Sequence, residues 1–273
     1  MATQVEKAKA FRALHERQQA FIIPNPWDIG TARMLERLGF EALATTSMGF
    51  ALSMGTLDNQ AGRDAVLAHA AALTSATRLP ISADLENGFG DAPETVVETI
   101  RLATNSGLVG GSIEDATGRA DRPIYELAHA TDRIRAASAA ARSLSFPFTL
   151  TARAENYLHG RADLKDTIRR LQAYQEAGAD VLYAPGLTTK EEITELVRSV
   201  DRPVNVLMGL RGVHWTLPEL SAMGVRRVSV GSGLYRVAHA AFLRAAREMR
   251  ETGAFSTMAN EPMYGSDIGK LLA

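Results

Sequence analysis

The chain has 273 residues, 46% hydrophobic and 22% charged, and 30 basic against 31 acidic side chains give a formal net charge of -1. This balance argues against nucleic acid or an anionic membrane as a partner, and the lack of cysteine excludes disulfides and cysteine catalysis. No stretch approaches the roughly 18 apolar residues of a membrane span, and the charged N-terminal segment is unlike a secretory signal, so we expect a cytoplasmic protein.

Short apolar, β-branched runs recur along the chain and alternate with amphipathic stretches of helical spacing. We predict strands at Phe21–Pro24, Ala42–Thr45, Ile81–Ala83, Val109–Ile113, Phe148–Ala152, Val181–Tyr183, Val204–Val206 and Val228–Val230. Eight alternations predict a single (β/α)8 TIM barrel over residues 1–273, since such a barrel needs about 250 residues. A doubly wound sheet with an extra lobe is the alternative. Residues 253–273 form a C-terminal tail that packs on the barrel or on another subunit.

The second predicted strand runs into a segment rich in serine, threonine and glycine, which continues to Asp58. The residues of this segment that we consider for ligand binding are Thr46, Ser47, Met48 and Gly49. Small hydroxyl residues and glycine let backbone N–H groups approach an anion closely. The segment is therefore a candidate anion-binding loop, although a turn selected for flexibility has the same composition.

Acidic residues follow the third and fourth predicted strands. Asp84 and Glu86 lie on one face of an extended chain, and Glu114 follows the next apolar run. The C-terminal ends of parallel strands meet at one mouth of a barrel, where gathered carboxylates repel one another unless a hard divalent cation lies between them. The pattern predicts a magnesium site. The alternatives are a solvated acidic turn, a helix-capping role for Glu86, and a capping role for Glu114 or the adjacent Asp115.

Arg153 follows the fifth predicted strand, so its guanidinium is expected beside the acids. A structural ion pair is one explanation, but buried ion pairs are poor stabilisers, and we favour a clamp for a substrate carboxylate. Glu155 is a candidate for orienting Arg153, and Asn205 for facing the same mouth. The residues predicted to contact the distal part of a substrate are Arg119, Arg122, Tyr125 and His129.

Taken together, these segments resemble the isocitrate lyase/phosphoenolpyruvate mutase superfamily from about Pro24 to Leu243. The matching segments are NPWDIGTARMLERLGF, TTSMGFALSMGTLD, ADLENGFG, SIEDATG and TARAE, in the family's order. The resemblance implies that Asp84, Glu86 and Glu114 hold Mg²⁺, with Mn²⁺ as an alternative. Glu86 stands where the family more usually has an aspartate.

The resemblance also implies roles for the remaining residues. Arg153 grips the substrate's carboxylate or enolate oxygen, and Asp58 lies near the metal-bound waters. Backbone amides of the Thr45–Gly49 loop hold the carboxylate, with Ser47 or Thr46 as the central hydroxyl. The family forms dimers of dimers in which paired subunits exchange their last barrel helix, so we expect a homo-oligomer of this kind.

One segment departs from the family pattern. The lyases for isocitrate and methylisocitrate carry a Lys-(Lys/Arg)-Cys-Gly-His segment on the lid after the fourth strand, whereas the corresponding stretch here, EDATGRADRPIYELAHATDR, has no cysteine. It also lacks a clear copy of the lysine- and asparagine-bearing lid of the phosphonopyruvate enzymes.

We therefore expect a magnesium-dependent lyase or decarboxylase that cleaves a C–C bond of a small 2-oxo or 2-hydroxy dicarboxylic acid through a metal-stabilised enolate. Arg153, Asp58 and Glu114 are its predicted catalytic residues, and Asn205 is a predicted substrate contact. One alternative is C–P chemistry of the phosphonopyruvate hydrolase or phosphoenolpyruvate mutase type. The other is a non-catalytic barrel that binds 2-oxo acids.

Overall fold

Eight parallel strands form the centre of the protein. The computed structural model describes residues 2–260 and 263–272. The strands are β1 (Phe21–Ile23), β2 (Leu43–Ala44), β3 (Ile81–Asp84), β4 (Gly110–Glu114), β5 (Thr149–Arg153), β6 (Val181–Tyr183), β7 (Val204–Leu207) and β8 (Arg227–Ser229). Their hydrogen-bonded order is β1-β8-β7-β6-β5-β4-β3-β2. Ala44 donates its backbone N–H to Pro24 O at 3.1 Å and so links the two ends of the sheet. The barrel prediction is confirmed, and the doubly wound alternative is wrong.

Helices connect the strands and cover the outside of the barrel. They are α1 (Gln4–Glu16), α2 (Ile29–Arg37), α3 (Ser47–Ser53), α4 (Arg63–Ala76), α5 (Pro93–Asn105), α6 (Leu127–Arg142), α7 (Leu164–Glu176), α8 (Lys190–Arg198), α9 (Leu217–Ala222), α10 (Gly233–Thr252), α11 (Ser256–Asn260) and α12 (Gly265–Leu272). None of the described helices is long and apolar enough to cross a membrane.

Helix α5 shows how the local sequence produces this arrangement. Pro93 occupies its first turn, where a missing N–H costs nothing. Val96, Ile100 and Ala103 are fully buried and recur on one face at helical spacing, so this face packs against the sheet. Just beyond the helix, Gly107 has φ +79°, a left-handed conformation that glycine adopts without strain, and the chain turns into β4.

The segment after β2 differs from the expected loop, because Ser47–Ser53 forms the short helix α3. Thr46 is its N-cap, and the Thr46 hydroxyl oxygen accepts a hydrogen bond from Gly49 N–H at 3.2 Å. A Cβ on Gly49 would lie 2.6 Å from the Thr46 methyl carbon, so this cap requires glycine. The cap converts a flexible composition into a helix of about two turns with a defined position at the barrel mouth.

Helix α1 closes the N-terminal end of the barrel. Phe11 and Leu14 are buried in a small cluster with Phe21 and Val109 at the starts of strands. His15, in the last turn of α1, is buried and donates its Nδ1–H to Phe11 O at 2.9 Å. Its other ring nitrogen, Nε2, therefore accepts and lies 3.4 Å from Nη1 of Arg227.

We expect the stability of the protein to fall as the pH drops below about 6.5, the pKa of an unfolded histidine. Burial lowers the pKa of His15 to about 3, and the positive charge of Arg227 adds to the effect. The unfolded chain therefore takes up a proton that the folded chain does not accept. Between pH 7 and pH 5, this linkage removes about 2 kcal/mol from the free energy of unfolding.

Urea unfolding at the two pH values measures this loss. A His15→Gln variant retains a polar side chain but does not titrate, so its loss should be smaller by about the same 2 kcal/mol. Equal losses in the two proteins would contradict the assignment of the acid sensitivity to His15.

The C-terminal region contains α10 and, within the predicted tail, α11 and α12. Helix α10 has 20 residues, of which only Tyr235 is buried against the described residues. Helix α12 packs on α2. The predicted tail, 253–273, includes residues 261, 262 and 273, which lie outside the described residues.

Candidate active site

A cavity of about 180 Å³ opens at the C-terminal ends of the strands. At its mouth lie Ser47, Asp58, Asp84 and Arg153, which three separate strands and their following segments bring together. The cavity then extends into the barrel, where its wall includes Asn205. Thr46 and Met48 also line it, so the structure places seven of the predicted site residues around one space.

Arg153 is the centre of the charge network. Its Nη1 lies 3.0 Å from Oδ1 of Asp84, its Nη2 lies 3.3 Å from Oε2 of Glu114, and the same nitrogen lies 2.8 Å from Oε1 of Glu155. Its guanidinium carbon is also 5.2 Å from the centre of the Tyr183 ring. Burial opposes the charge on Arg153, but the three carboxylates outweigh it and raise the pKa of the guanidinium. Arg153 is therefore a fixed cation that holds β3, β4 and β5 together at the mouth.

Asp84 is held in place by hydrogen bonds from three directions. In addition to Arg153, its carboxylate accepts the Ser47 hydroxyl at 3.1 Å and the Glu86 backbone N–H at 3.2 Å. Glu86 has φ +51°, an uncommon conformation for a residue with a side chain. The turn after β3 is thus folded back over the Asp84 carboxylate, which brings the two acids close together.

Glu86 and Glu114 line a different cavity from Asp84. This second cavity has a volume of about 1020 Å³ and lies beside Asn87 and Thr117, after β3 and β4. The acids are adjacent, as the sequence indicates, but they lie between two cavities instead of around one. Arg153 lies between Asp84 and Glu114 and contacts both. The described residues contain no group of three or more His, Asp or Glu arranged around a common metal position.

Ionised together, the acids of this cluster would carry more negative charge than the single cation Arg153 neutralises. Burial raises the pKa of Glu86 to about 8, and the charges of Asp84 and Asp58 contribute to the rise. Burial likewise raises the pKa of Glu114 well above its usual range, against the opposing charge of Arg153. For Asp58, burial and the charge of Asp84 raise the pKa, while a hydrogen bond from Ser47 opposes the rise. A further cation at this position would relieve all three shifts.

The donor set fits a divalent cation on these grounds. Oε1 of Glu86 is buried without a hydrogen-bond partner among the described residues, and a buried acceptor of this kind is costly unless something binds it. All the atoms of this cluster that could ligate a cation are carboxylate oxygens, which Mg²⁺ prefers. Magnesium usually binds through one or two carboxylates and several waters, so it does not require a closed cage of three side chains.

Asp115 takes no part in the cavity. Its carboxylate accepts the Tyr174 hydroxyl at 2.6 Å, Nη1 of Arg170 at 3.1 Å and the Glu155 backbone N–H at 2.8 Å. It therefore joins β4 to α7 behind the site and fixes the backbone of Glu155. Of the two adjacent acids, Glu114 faces the charge network and Asp115 has a structural role.

The segment after β4 is tied down by one aspartate. Nη1 of Arg119 lies 2.6 Å from Oδ2 of Asp91, and the Tyr125 hydroxyl lies 2.5 Å from Oδ1. His129 contacts the backbone oxygen of Asp91 at 2.9 Å. Three of the residues predicted to contact a distal substrate group are thus bound to the β3–α5 connection, away from the cavity at Arg153.

Several polar residues of the cavity wall were not among the predicted site residues, and three of them stand out by size and contacts. They are Asn25, Tyr183 and Arg227. Asn25 donates to Thr45 O and accepts the backbone N–H groups of Val230 and Gly231, and so joins the ends of β2 and β8. For Arg227, a signal was available in the sequence: an arginine begins the apolar strand run RVSV, and a charged residue is unusual in a buried strand.

The fold and the site define the class of protein: a (β/α)8 barrel with an acid–arginine centre at the C-terminal mouth, where barrel enzymes carry their active sites. The family model described as phosphoenolpyruvate phosphomutase matches residues 11–250. The chain belongs to this family, within the isocitrate lyase/phosphoenolpyruvate mutase superfamily.

Several relatives match nearly the whole chain. The uncharacterized protein Rv1998c of Mycobacterium tuberculosis H37Rv is 34% identical over 239 residues, which cover 85% of this chain and 87% of that protein. The 2-methylisocitrate lyase of Shewanella oneidensis is 28% identical over 251 residues, with 88% and 84% covered. The oxaloacetate decarboxylase of Chromohalobacter salexigens is 26% identical over 263 residues, with 92% and 88% covered.

Solved structures support the same assignment. A crystal structure of a provisionally assigned lyase/mutase from Burkholderia cenocepacia J2315 is 62% identical, with a TM-score of 0.96, and the match covers 99% of this chain and 96% of that one. A structure of oxaloacetate acetylhydrolase in complex with the product oxalate is 25% identical, with a TM-score of 0.87 and coverage of 100% and 95%. Besides the uncharacterized protein, the relatives named here are thus a lyase, a decarboxylase, a lyase/mutase and an acetylhydrolase.

Proposed function

We propose that this protein is a magnesium-dependent lyase or decarboxylase that cleaves a C–C bond of a small 2-oxo or 2-hydroxy dicarboxylic acid. The observation that carries the proposal is the excess of buried carboxylates around Arg153, with Oε1 of Glu86 unpartnered. The cavity of about 180 Å³ suits a small metabolite, because drug-sized ligands occupy about 300 to 1,000 Å³.

Asp84, Glu86 and Glu114 are the residues that would hold the cation, directly or through water. A divalent cation bound there supplies a Lewis acid that polarises the 2-oxo oxygen as the C–C bond breaks. Arg153 is rigidly held beside the same acids, so its guanidinium stabilises negative charge where an enolate develops. Because Arg153 is already positioned by the protein, little reorganisation accompanies the reaction.

The N-terminus of α3 supplies the remaining contacts. Four N–H groups lack intrahelical partners at the start of any helix. Here the Thr46 hydroxyl oxygen accepts the N–H of Gly49. The N–H groups of Ser47 and Met48 remain for the substrate carboxylate at the cavity mouth. Asp58, half-buried next to Ser47, is suited to hold a water in the site and to exchange a proton with it.

Assays with purified protein test the proposal. We expect Mg²⁺-dependent release of pyruvate from oxaloacetate and no release when the metal is chelated. A panel of 2-hydroxy diacids, including 2-methylisocitrate, extends the test to C–C lyase activity. Binding of these acids with no product under any divalent metal would contradict the proposal and favour the non-catalytic barrel.

A second candidate function has one specific observation in its favour. The family model that matches residues 11–250 is that of phosphoenolpyruvate phosphomutase, an enzyme of C–P chemistry. The same cation and Arg153 would stabilise an enolate formed by breaking a C–P bond. Phosphonopyruvate assayed beside oxaloacetate separates the two functions, since the preferred substrate should show the higher kcat/KM.

The expected homo-oligomer rests on α10. Val237 and Phe242 are 70% and 65% exposed on this helix, which is a costly arrangement for large apolar side chains on a lone subunit. A second copy that receives α10 on its barrel would bury them. In sedimentation experiments, we expect the parent protein to be a dimer or tetramer and a Val237→Glu, Phe242→Glu double variant to dissociate. Glu251→Gln, at an exposed polar position of the same helix, is the control, and a monomeric parent would contradict the proposal.

A further inference from the structure

The active-site cavity ends on a buried arginine inside the barrel. The interior of a (β/α)8 barrel is typically filled by branched apolar side chains. Here the cavity wall includes Ser82, Ser112 and Ser229, small residues that leave space and offer hydroxyl groups. Arg227, the first residue of β8, lines the same cavity and is only 5% exposed.

Arg227 contacts neutral groups. Its Nε donates to Oδ1 of Asn205 at 2.9 Å, its Nη2 donates to the Thr151 hydroxyl at 3.0 Å, and its Nη1 lies 3.4 Å from Nε2 of His15. None of the ion pairs between described residues involves Arg227. Burial lowers its pKa to about 10, so the guanidinium is charged at neutral pH.

A buried charge without a partner of opposite sign is expensive to maintain. The guanidinium has five N–H groups in a planar fork, and the three contacts above leave two of them for another acceptor. The fork geometry matches a carboxylate or a similar planar anion. A ligand that brings a negative charge to the inner end of the cavity would therefore stabilise the buried charge of Arg227, which no acidic side chain of the described residues pairs with.

Other cations near the site differ from Arg227 in this respect. Arg153 already has three carboxylate partners, Asp84, Glu114 and Glu155. Arg119 is paired with Asp91. Arg227 is thus the cation of the cavity wall whose charge is left for a ligand.

We infer that Arg227 is the receptor for a second anionic group of the substrate, the distal carboxylate of a short diacid. This inference rests on the proposed function, which places the 2-oxo carboxylate end of the substrate at Ser47 and Arg153. The substrate then lies along the barrel axis, with its second carboxylate pointing inward between Asn205 and the serines. Asn205 acts as a positioning residue, because it accepts Nε of Arg227 and donates to the Ser229 hydroxyl at 2.9 Å.

Calorimetric titration in the presence of Mg²⁺ tests the inference with two ligands that share the 2-oxo carboxylate end. These are pyruvate and 3,3-difluorooxaloacetate, and only the second has a distal carboxylate. We expect the parent protein to bind the diacid at least about 10-fold more tightly than pyruvate. In an Arg227→Gln variant, we expect diacid affinity to fall by about 30-fold while pyruvate affinity changes less than about threefold. Arg226→Gln, which removes the neighbouring guanidinium outside the cavity, is the control and should retain both affinities.

Several outcomes would overturn the inference. An equal loss of affinity for both ligands in Arg227→Gln would show that Arg227 only supports the barrel. Equal affinities of the parent protein for pyruvate and the diacid would overturn the inference without any variant, so the test does not depend on the variant folding. If the parent binds neither ligand with Mg²⁺, the proposed function fails and this inference fails with it. Tight pyruvate binding without selectivity for the diacid would reject the role of Arg227 alone.

Discussion

Replacing Asp84 with asparagine is expected to reduce Mg²⁺-dependent turnover by about 10³-fold or more, because the change removes one charge from the position where a cation and Arg153 meet. The asparagine keeps the size of the side chain, and its oxygen still accepts from Ser47 or Arg153. The loss of one carboxylate also lowers the repulsion that raises the pKa of Glu86. The free energy of unfolding without metal should therefore stay the same or increase slightly.

The combination of lost activity with retained stability is what distinguishes a ligand from a structural residue. Steady-state kinetics over a range of Mg²⁺ concentrations and urea unfolding in EDTA measure the two quantities. Asp132→Asn, which removes an exposed acid paired with Arg135 on α6, is the matched control and should change neither quantity. Unchanged turnover in Asp84→Asn would reject the metal-binding role.

Replacing Arg153 with glutamine is expected to destabilise the protein by about 3 to 5 kcal/mol, the usual cost when a buried charge loses its partner. Three carboxylates, those of Asp84, Glu114 and Glu155, lose their common cation. Turnover should fall by about 10²- to 10³-fold, because the donor aimed at the developing negative charge is removed. Thermal unfolding and kinetics on the same preparation measure both effects.

Magnesium provides an internal check on the Arg153 variant. Ligand binding to the native state stabilises it. If the acids bind a divalent cation, saturating Mg²⁺ should therefore raise the Tm of Arg153→Gln by more than it raises the Tm of the parent, because the carboxylates of the variant have lost the charge of Arg153. Arg153→Lys keeps the charge but loses the fork, so we expect an intermediate stability. Arg135→Gln is the exposed control and should cost less than about 1 kcal/mol. A Tm that does not respond to Mg²⁺ in either protein would contradict the proposed cation site.

The acids of the site lie between two cavities. Asp84 and Asp58 face the cavity that runs into the barrel, and Glu86 and Glu114 face the larger cavity beside the segment after β4. The acids that would hold a cation therefore border both cavities. The contacts of Asp91 with Arg119 and Tyr125 hold that segment against the β3–α5 connection, and both segments line the larger cavity.

The amino-acid sequence by itself determined the eight strands and the residues at their ends. The spacing of apolar residues and the length of the apolar runs are local properties, and they were sufficient to place Asp84, Glu114 and Arg153 at one mouth. The residue types also limited the chemistry, since a chain without cysteine that gathers acids beside an arginine favours oxygen-ligated metals.

Only the tertiary structure decided which of these side chains meet and what they face. Asp115 and Glu114 are neighbours in the chain, but contacts with Tyr174 and Arg170, 59 and 55 residues away, turn Asp115 into a structural acid. Arg227 becomes a cavity residue because β8 lies beside β7 and α1 closes the barrel beneath it. Such pairings depend on the closure of the barrel, which brings distant strands into contact and buries charges that no local pattern distinguishes from surface ones.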